Sequence, residues 1–331
     1  MKKVCVIGCG VISENHLRAL AGMKDIQIAG VCDVLEERAA AKAAAYGCPA
    51  FTDYKQMLQQ VQPDAVHLCL PHYLHSPVAV ACLEAGVDVL SEKPMNATYA
   101  GAVAMRDAAR RTGRRLGVIF QNRYNSGSVL AKKVLTEGRL GKLLTLSGLV
   151  MWHRDEAYYA SGTWRRDYAT SGGGVIINQA IHTLDLIRWL ADSPVESVDA
   201  TVSHHGDTTA EVEDTTEGVI RFENGARGLF YFTINNGQDD SIVLHAHGTE
   251  GDLTVTGGRC TVCYRDGRTE SDKGSKETFC GAKAVYGSSH AIQIEQFYHG
   301  TDAEVAQTVE EALKTQALIQ QIFRSAGRDA E

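Results

Sequence analysis

The chain has 331 residues, 44% hydrophobic and 22% charged, with a formal net charge of −7. That length predicts about two domains and needs no disulfide or structural metal to hold a core. The acidic balance argues against nucleic acid or an anionic membrane as a partner. No apolar run reaches the length of a transmembrane helix.

The first third alternates. Short, continuously apolar runs at 4–7, 26–32, 65–70, 87–90 and 116–120 read as parallel strands covered on both faces. Helical patterns lie between and after them, at 16–23, 36–46, 54–61, 76–85 and 98–111. Strict alternation of this kind predicts a doubly wound α/β sheet. The pattern changes near residue 122. After a helix at 129–137 come longer strands of period two at 143–152, 197–204, 215–222, 228–235, 241–248, 251–256 and 259–265, with Gly-rich turns between them. They predict a mostly antiparallel sheet. A helix over 174–190 interrupts the strands, and another over 303–325 closes the chain. The domains expected are 1–122 and 123–331.

The first strand runs into Gly8-Cys9-Gly10-Val11-Ile12-Ser13. Strand, Gly-x-Gly and helix in succession predict a pyrophosphate-binding turn, the anion sitting at the helix N-terminus. Gly8 permits the turn, and Gly10 lets backbone approach the phosphates. Asp33 ends the next strand, where its carboxylate would accept hydrogen bonds from ribose hydroxyls and repel a 2′-phosphate. No basic residue follows it at once, so NAD is expected rather than NADP. Glu92-Lys93-Pro94 ends the fifth strand, at the sheet edge where such folds bind ligands. A cationic nicotinamide nearby would lower the Lys93 pKa by like-charge repulsion and suit it to proton transfer.

Gly8-x-Gly10, Pro71-His72-x-x-His75, Glu92-Lys93-Pro94 and Gly172-Gly173-Gly174-x-x-x-Asn178-x-x-x-His182-x-x-Asp185 occur in that order. Together they resemble the glucose–fructose oxidoreductase / inositol dehydrogenase / rhizopine-catabolism (Gfo/Idh/MocA) family of sugar and cyclitol dehydrogenases. The resemblance implies an N-terminal Rossmann domain for NAD and a C-terminal α/β domain for the sugar. It implies homodimers or homotetramers through the second sheet. It places Val11, Ile12, Pro71, His72, His75 and Glu92 around the cofactor. Lys93, Asn178 and His182 fall in the catalytic group. Arg123 with Tyr124, and Trp164 with Arg165, lie in regions that supply cofactor and substrate contacts. Trp152 and Tyr158 have the aromatic character of a sugar platform, and His290 matches a position that can approach the active site.

Asn178, His182 and Asp185 are spaced as one face of a helix. The family usually has Asp where this chain has Asn178. Asn can orient an imidazole but cannot stabilise its cation, so Lys93 becomes the main acid–base group and His182 orients substrate. The Asn tilts the expected substrate toward a pyranoside oxidised at C3. Cys260-x-x-Cys263 reads as strand, and a closed zinc site needs four ligands, so no metal is expected. The nine cysteines, an odd number lying mostly in apolar stretches, follow no secretory leader in this reading and point to a reducing cytoplasm.

The expected activity is NAD-dependent interconversion of a secondary alcohol and a ketone on a sugar, glycoside or cyclitol. A second reading is a glycoside-cleaving enzyme that retains NAD and oxidises its substrate transiently. A third, of another class, is a dinucleotide-binding regulator without catalysis.

Overall fold

A computed structural model describes residues 1–206, 208–273 and 289–328. It divides into two compact units, Met1–Phe120 with His290–Leu313, and Gln121–Ser289 with Lys314–Glu331.

The first unit begins with β1 (Lys2–Ile7), α1 (Ser13–Ala21), β2 (Ile26–Cys32), α2 (Glu36–Tyr46), β3 (Ala50–Phe51), α3 (Tyr54–Val61) and β4 (Ala65–Leu68). It continues through α4 (His72–Glu84), β5 (Asp88–Ser91), α5 (Tyr99–Thr112) and β6 (Leu116–Val118). The strands form a parallel sheet of order β3-β2-β1-β4-β5-β6. Its order reverses between β1 and β4, which opens a crevice at their carboxyl ends. Val4, Val6, Val31, Val66, Leu68 and Val89 are wholly buried, as strands covered on both faces require.

Helix α4 starts earlier than the pattern predicts, because it carries Pro77 in its interior. Proline cannot donate to the carbonyl four residues back. Here that carbonyl, of Tyr73, accepts from the Asn96 side-chain amide at 3.4 Å, and the His72 carbonyl accepts from the same nitrogen at 3.2 Å.

In the second unit, α6 (Ser126–Thr136) precedes β7 (Leu143–Met151). The short helices α7 (Glu156–Ala160), α8 (Tyr168–Ser171) and α9 (Val175–Asn178) lead into α10 (Ile181–Ala191). The strands β8 (Val195–Ser203), β9 (Thr215–Phe222), β10 (Arg227–Thr233), β11 (Val243–Gly248), β12 (Gly251–Thr256), β13 (Arg259–Tyr264) and β14 (Thr269–Ser271) follow. They build a sheet of order β14-β13-β12-β11-β7-β10-β9-β8. β7 and β10 pair in parallel, and the other neighbours are antiparallel. Helix α10 lies on this sheet. A Cβ on Gly148 of β7 would come within 2.7 Å of the Thr183 methyl, so the glycine lets the helix approach closely.

Two helices complete the chain. α11 (His290–His299) belongs to the first unit, and α12 (Asp302–Ser325) follows it. Hydrophobic patterning gave no sign of α11.

The single helix expected over 174–190 is corrected to α9 and α10. The Ala180 N–H reaches back five residues to the Val175 carbonyl at 2.8 Å, and the Thr183 N–H only three, to Ala180 at 2.9 Å. The ladder of bonds to the fourth residue back is thus interrupted at the joint. Asn178 and His182 do not share one face of a continuous helix.

Candidate active site

In the first unit, the sequence-predicted cofactor residues follow the carboxyl ends of neighbouring strands. Gly8, directly after β1, has φ +95°, and a Cβ there would stand 2.2 Å from the Cys69 carbonyl oxygen. Only glycine fits that turn. On Gly10 a Cβ would meet nothing within 4 Å, so that side of the loop is open to a ligand. Ser13 opens α1, its N–H and hydroxyl both directed to the Gly10 carbonyl at 3.2 and 2.6 Å. Asp33 follows β2. One carboxylate oxygen accepts from the Cys9 N–H at 2.8 Å and the other from Leu35 N–H at 3.0 Å. The acid therefore ties the glycine turn to the end of β2. Val11 and Val34 are each more than four-fifths exposed, apolar surface beside this turn. An open glycine, a carboxylate at the second strand and uncovered apolar side chains fit a dinucleotide.

Pro71 caps α4, and His72 begins it, buried. His75 is buried too, its Nδ1 2.7 Å from the Pro94 carbonyl and its Nε2 2.9 Å from that of Leu70. Burial lowers its pKa, and the two carbonyls work against that. It struts the loop after β4 against the loop after β5. The Lys93–Pro94 peptide is cis.

Glu92 is buried. Its Oε1 receives His16 Nε2 at 2.9 Å and His290 Nε2 at 3.3 Å, and its Oε2 accepts from the Lys93 N–H at 3.3 Å. Burial would raise its pKa, but the bonds and positive potential of the two histidines outweigh that and hold it well below the usual carboxylate range. Beyond His16 lie His67 and Tyr298, which the sequence reading did not single out. A histidine inside the apolar strand Ala65-Val-His-Leu68 was the available signal, since an unpartnered imidazole there would be costly.

In the second unit, Arg123 and Tyr124 close a 3-10 turn (Gln121–Tyr124). The Arg123 guanidinium grips Asp185 in a forked pair, Nε to Oδ2 at 2.7 Å and Nη2 to Oδ1 at 2.6 Å. Thr315 donates to the same carboxylate at 2.5 Å, and Arg188 lies 3.5 Å away. Burial opposes ionisation of Asp185, but Arg123 overrides it and lowers the pKa. Asp185 is thereby committed to this ion pair.

Trp152 is fully buried, its indole N–H donating to the Asp240 carbonyl at 3.0 Å. Tyr158 lies between two guanidiniums, with Arg154 5.7 Å and Arg165 5.2 Å from its ring centre. Arg165 also lies 4.7 Å from the Trp164 ring, and the Gln179 amide donates to the Tyr158 hydroxyl at 2.9 Å. Asn178 ends α9 half-buried, and His182 is buried in the first turn of α10.

Glu213 was likewise unforeseen. Its carboxylate accepts from the N–H groups of Gly174 at 2.9 Å and Ile176 at 3.3 Å, and from the Tyr168 hydroxyl at 3.0 Å. It caps the glycine run before Asn178, where a Cβ on Gly174 would fall 1.8 Å from the Glu213 carbonyl oxygen. Burial raises its pKa against those bonds. A capping acid some 40 residues from the backbone it serves leaves no local pattern. All eight cysteines among the described residues are free thiols, and Cys280 lies outside them. Among the described residues no helix is long and apolar enough to cross a membrane.

Residues 2–120 match the oxidoreductase family with an NAD-binding Rossmann fold, and residues 129–254 match the GFO/IDH/MocA C-terminal domain. Inositol 2-dehydrogenase 2 of Saccharopolyspora erythraea is 31% identical over 66% of this chain and 63% of its own length. D-glucoside 3-dehydrogenase of Escherichia coli is 29% identical over 67% of each. The WlbA dehydrogenase of Bordetella pertussis, solved with NADH and UDP-GlcNAcA, superposes with a TM-score of 0.84. It is 30% identical, and the match covers 98% of this chain and 96% of that one.

Proposed function

Since the chain belongs to the Gfo/Idh/MocA family of NAD-binding oxidoreductases, we propose that it interconverts a secondary alcohol and a ketone on a sugar, glycoside or cyclitol. The observation that carries this reading is the common sheet edge of the first unit. There the glycine turn, Asp33 and Glu92-Lys93 follow the carboxyl ends of strands flanking the order reversal.

Bound at that edge, NAD supplies a two-electron acceptor for the hydrogen on the carbinol carbon. Gly8 and Gly10 take the pyrophosphate, and Asp33 the adenosine ribose. Lys93 accepts the hydroxyl proton during oxidation and returns one during reduction. Asn178 and His182 orient the reacting hydroxyl, with Glu213 fixing the glycine run ahead of them. Asn178 in place of the family's Asp favours a pyranoside substrate. Arg165, set against Trp164 and Tyr158, is a planar donor for a polar substituent or the cofactor.

Exposed Leu229 and Tyr231, on the outward face of β10, support self-association through that face of the second sheet. Free thiols throughout the described residues support a cytoplasmic setting.

Screening sugars, glycosides, uronates and cyclitols for NADH formation identifies the substrate. Lys93→Met should then abolish turnover while calorimetric NAD binding persists. A variant that still turns over defeats the assignment of Lys93.

A further inference from the structure

The first unit buries a continuous line of titratable side chains beneath α1 and α11. Tyr298 Oη lies 2.7 Å from His67 Nε2, His67 Nδ1 lies 2.8 Å from His16 Nδ1, and His16 Nε2 lies 2.9 Å from Glu92 Oε1. His16 and His67 are completely buried, and Tyr298 nearly so. At the outer end, the Tyr298 ring centre is 5.9 Å from the ammonium of exposed Lys2, at the start of β1. The inner end is the carboxylate that directly precedes Lys93. The line therefore runs from the amino end of β1 to the residue after β5.

Hydrogen-bond polarity allows two states of this line. In the first, Glu92 is ionised and accepts from His16 Nε2–H. A neutral His16 then presents a bare Nδ1, so His67 must donate from its own Nδ1, and its bare Nε2 accepts the Tyr298 hydroxyl. In the second, His16 carries both protons beside anionic Glu92. Its Nδ1–H then donates to His67 Nδ1, and His67 donates from Nε2 to the Tyr298 oxygen. Every buried nitrogen is satisfied in both states, and they differ by one proton.

We propose that Tyr298, His67 and His16 form a proton relay that exchanges one proton between the outer end of the first unit and the Glu92 site beside Lys93. As a proton arrives at the Tyr298 oxygen from the Lys2 side, the hydroxyl proton already there passes to His67 Nε2. The His67 Nδ1–H bond breaks as the His16 Nδ1–H bond forms. One proton enters and one is stored on His16, with no electrons transferred. The reverse sequence exports it. The three are positioning residues, acting through Glu92. This purpose rests on the reading of Lys93 as the acid–base group, since each alcohol oxidation releases one proton there.

Burial holds His67 neutral, its pKa well below the usual imidazole range, with neighbouring His16 adding to the shift. Tyr298 is pushed well above the usual phenol range, first by burial and then by Asp88, Cys5, Asp25 and Asp64, so its hydroxyl stays protonated. The groups around Glu92 are His16 on α1, His290 on α11, Cys69 after β4, His75 on α4 and adjacent Lys93. The ring centres of His16 and His290 are 6.1 Å apart, so His290 feels the proton stored on His16.

The test is nitrogen NMR of the full chain labelled at histidine, titrated from pH 8 to pH 5 without substrate. His67 should switch from the Nδ1–H to the Nε2–H tautomer within that range as the line takes up one proton, and should never become an imidazolium. A His67 that keeps one tautomer throughout overturns the relay, as does a doubly protonated His67. In isosteric Glu92→Gln the stored proton loses its counter-charge, so the switch should move at least about one pH unit lower, a tenfold weaker hold. A switch that stays in place also overturns the relay. The titration is independent of turnover. A coupled switch alongside active Lys93→Met refutes the lysine reading and not the relay, whereas a missing switch alongside inactive Lys93→Met refutes the relay alone.

Discussion

Replacing Arg123 with methionine tests the ion pair beneath α10. The change keeps an apolar stem and removes both arms of the fork on Asp185, at 2.7 and 2.6 Å. Breaking a buried pair by removing one partner costs about 3–5 kcal/mol, because the remaining charge is stranded. Arg188 at 3.5 Å and Thr315 at 2.5 Å still face the carboxylate, so the lower end, about 3 kcal/mol, applies. At roughly 2–4 °C per kcal/mol, the melting temperature of the second unit should fall by about 6–12 °C.

The pH dependence has a definite sign. In the wild type the folded pKa of Asp185 lies below its unfolded value, mainly through Arg123 acting against burial. That contribution is present above the unfolded pKa and is lost as pH falls through the folded one. In the variant, burial acts with less opposition, and protonating the stranded carboxylate relieves its cost. The deficit should therefore shrink between pH 7 and pH 3. Urea unfolding at both limits measures it, and Arg123→Met/Asp185→Asn should recover most of the loss at pH 7. A deficit under about 1 kcal/mol at pH 7, or one that grows on acidification, would refute the reasoning.

Two more expectations concern the first unit. Gly8→Ala forces a side chain into φ +95° and against the Cys69 carbonyl; calorimetry should show NAD affinity at least about tenfold weaker, with about 2 kcal/mol or more of stability lost. Glu14 holds a pKa of about 2 through bonds from Lys42 first, then Arg18 and Tyr46. Its stabilising effect is therefore full above the ordinary carboxylate range and lost as pH falls toward 2. Discounted for its partial exposure, the effect is about 1 kcal/mol, and Glu14→Gln should flatten the urea midpoint between pH 5 and pH 2.

What the sequence disclosed and what it hid divide on physical lines. Gly8, Asp33 and Glu92-Lys93 were legible because each stands at a fixed offset from a strand end, and strands with two buried faces are plain in the chain. The helix around His182 was legible only in outline. A break in the helical ladder at Ala180 separates Asn178 from the helix of His182 without altering the hydrophobic pattern. Pro77 concealed the start of α4, since the side chain that compensates for it, Asn96, comes 19 residues later. Glu213 and Tyr298 act only across long sequence separations. His67 was visible as a polar residue in an apolar strand, but its partner was not.

The first unit is assembled from residues 1–120 and 290–313, and this has a bearing on biosynthesis. Among the described residues, no further strand pairs with the outer edge of β6. The Gln293 side chain serves it instead, accepting from the Phe120 N–H at 2.8 Å and donating to the Val118 carbonyl at 2.7 Å. Arg115 and Asp88 fasten the preceding turn, and Arg115 also donates to the Phe297 carbonyl at 2.6 Å. When residue 120 leaves the ribosome, none of α11 has been made. At 5–20 residues per second, the sheet waits roughly 10 to 35 s for Gln293 and its neighbours. A nascent chain stalled after Phe120 should therefore remain open to protease, and one stalled with residues 290–313 emerged should resist it. Protection of the shorter chain would show that α11 is dispensable to the unit's closure. Helix α11 thus determines when residues 1–120 become a finished fold, and any chaperone that shields this sheet must hold it until α11 has been made.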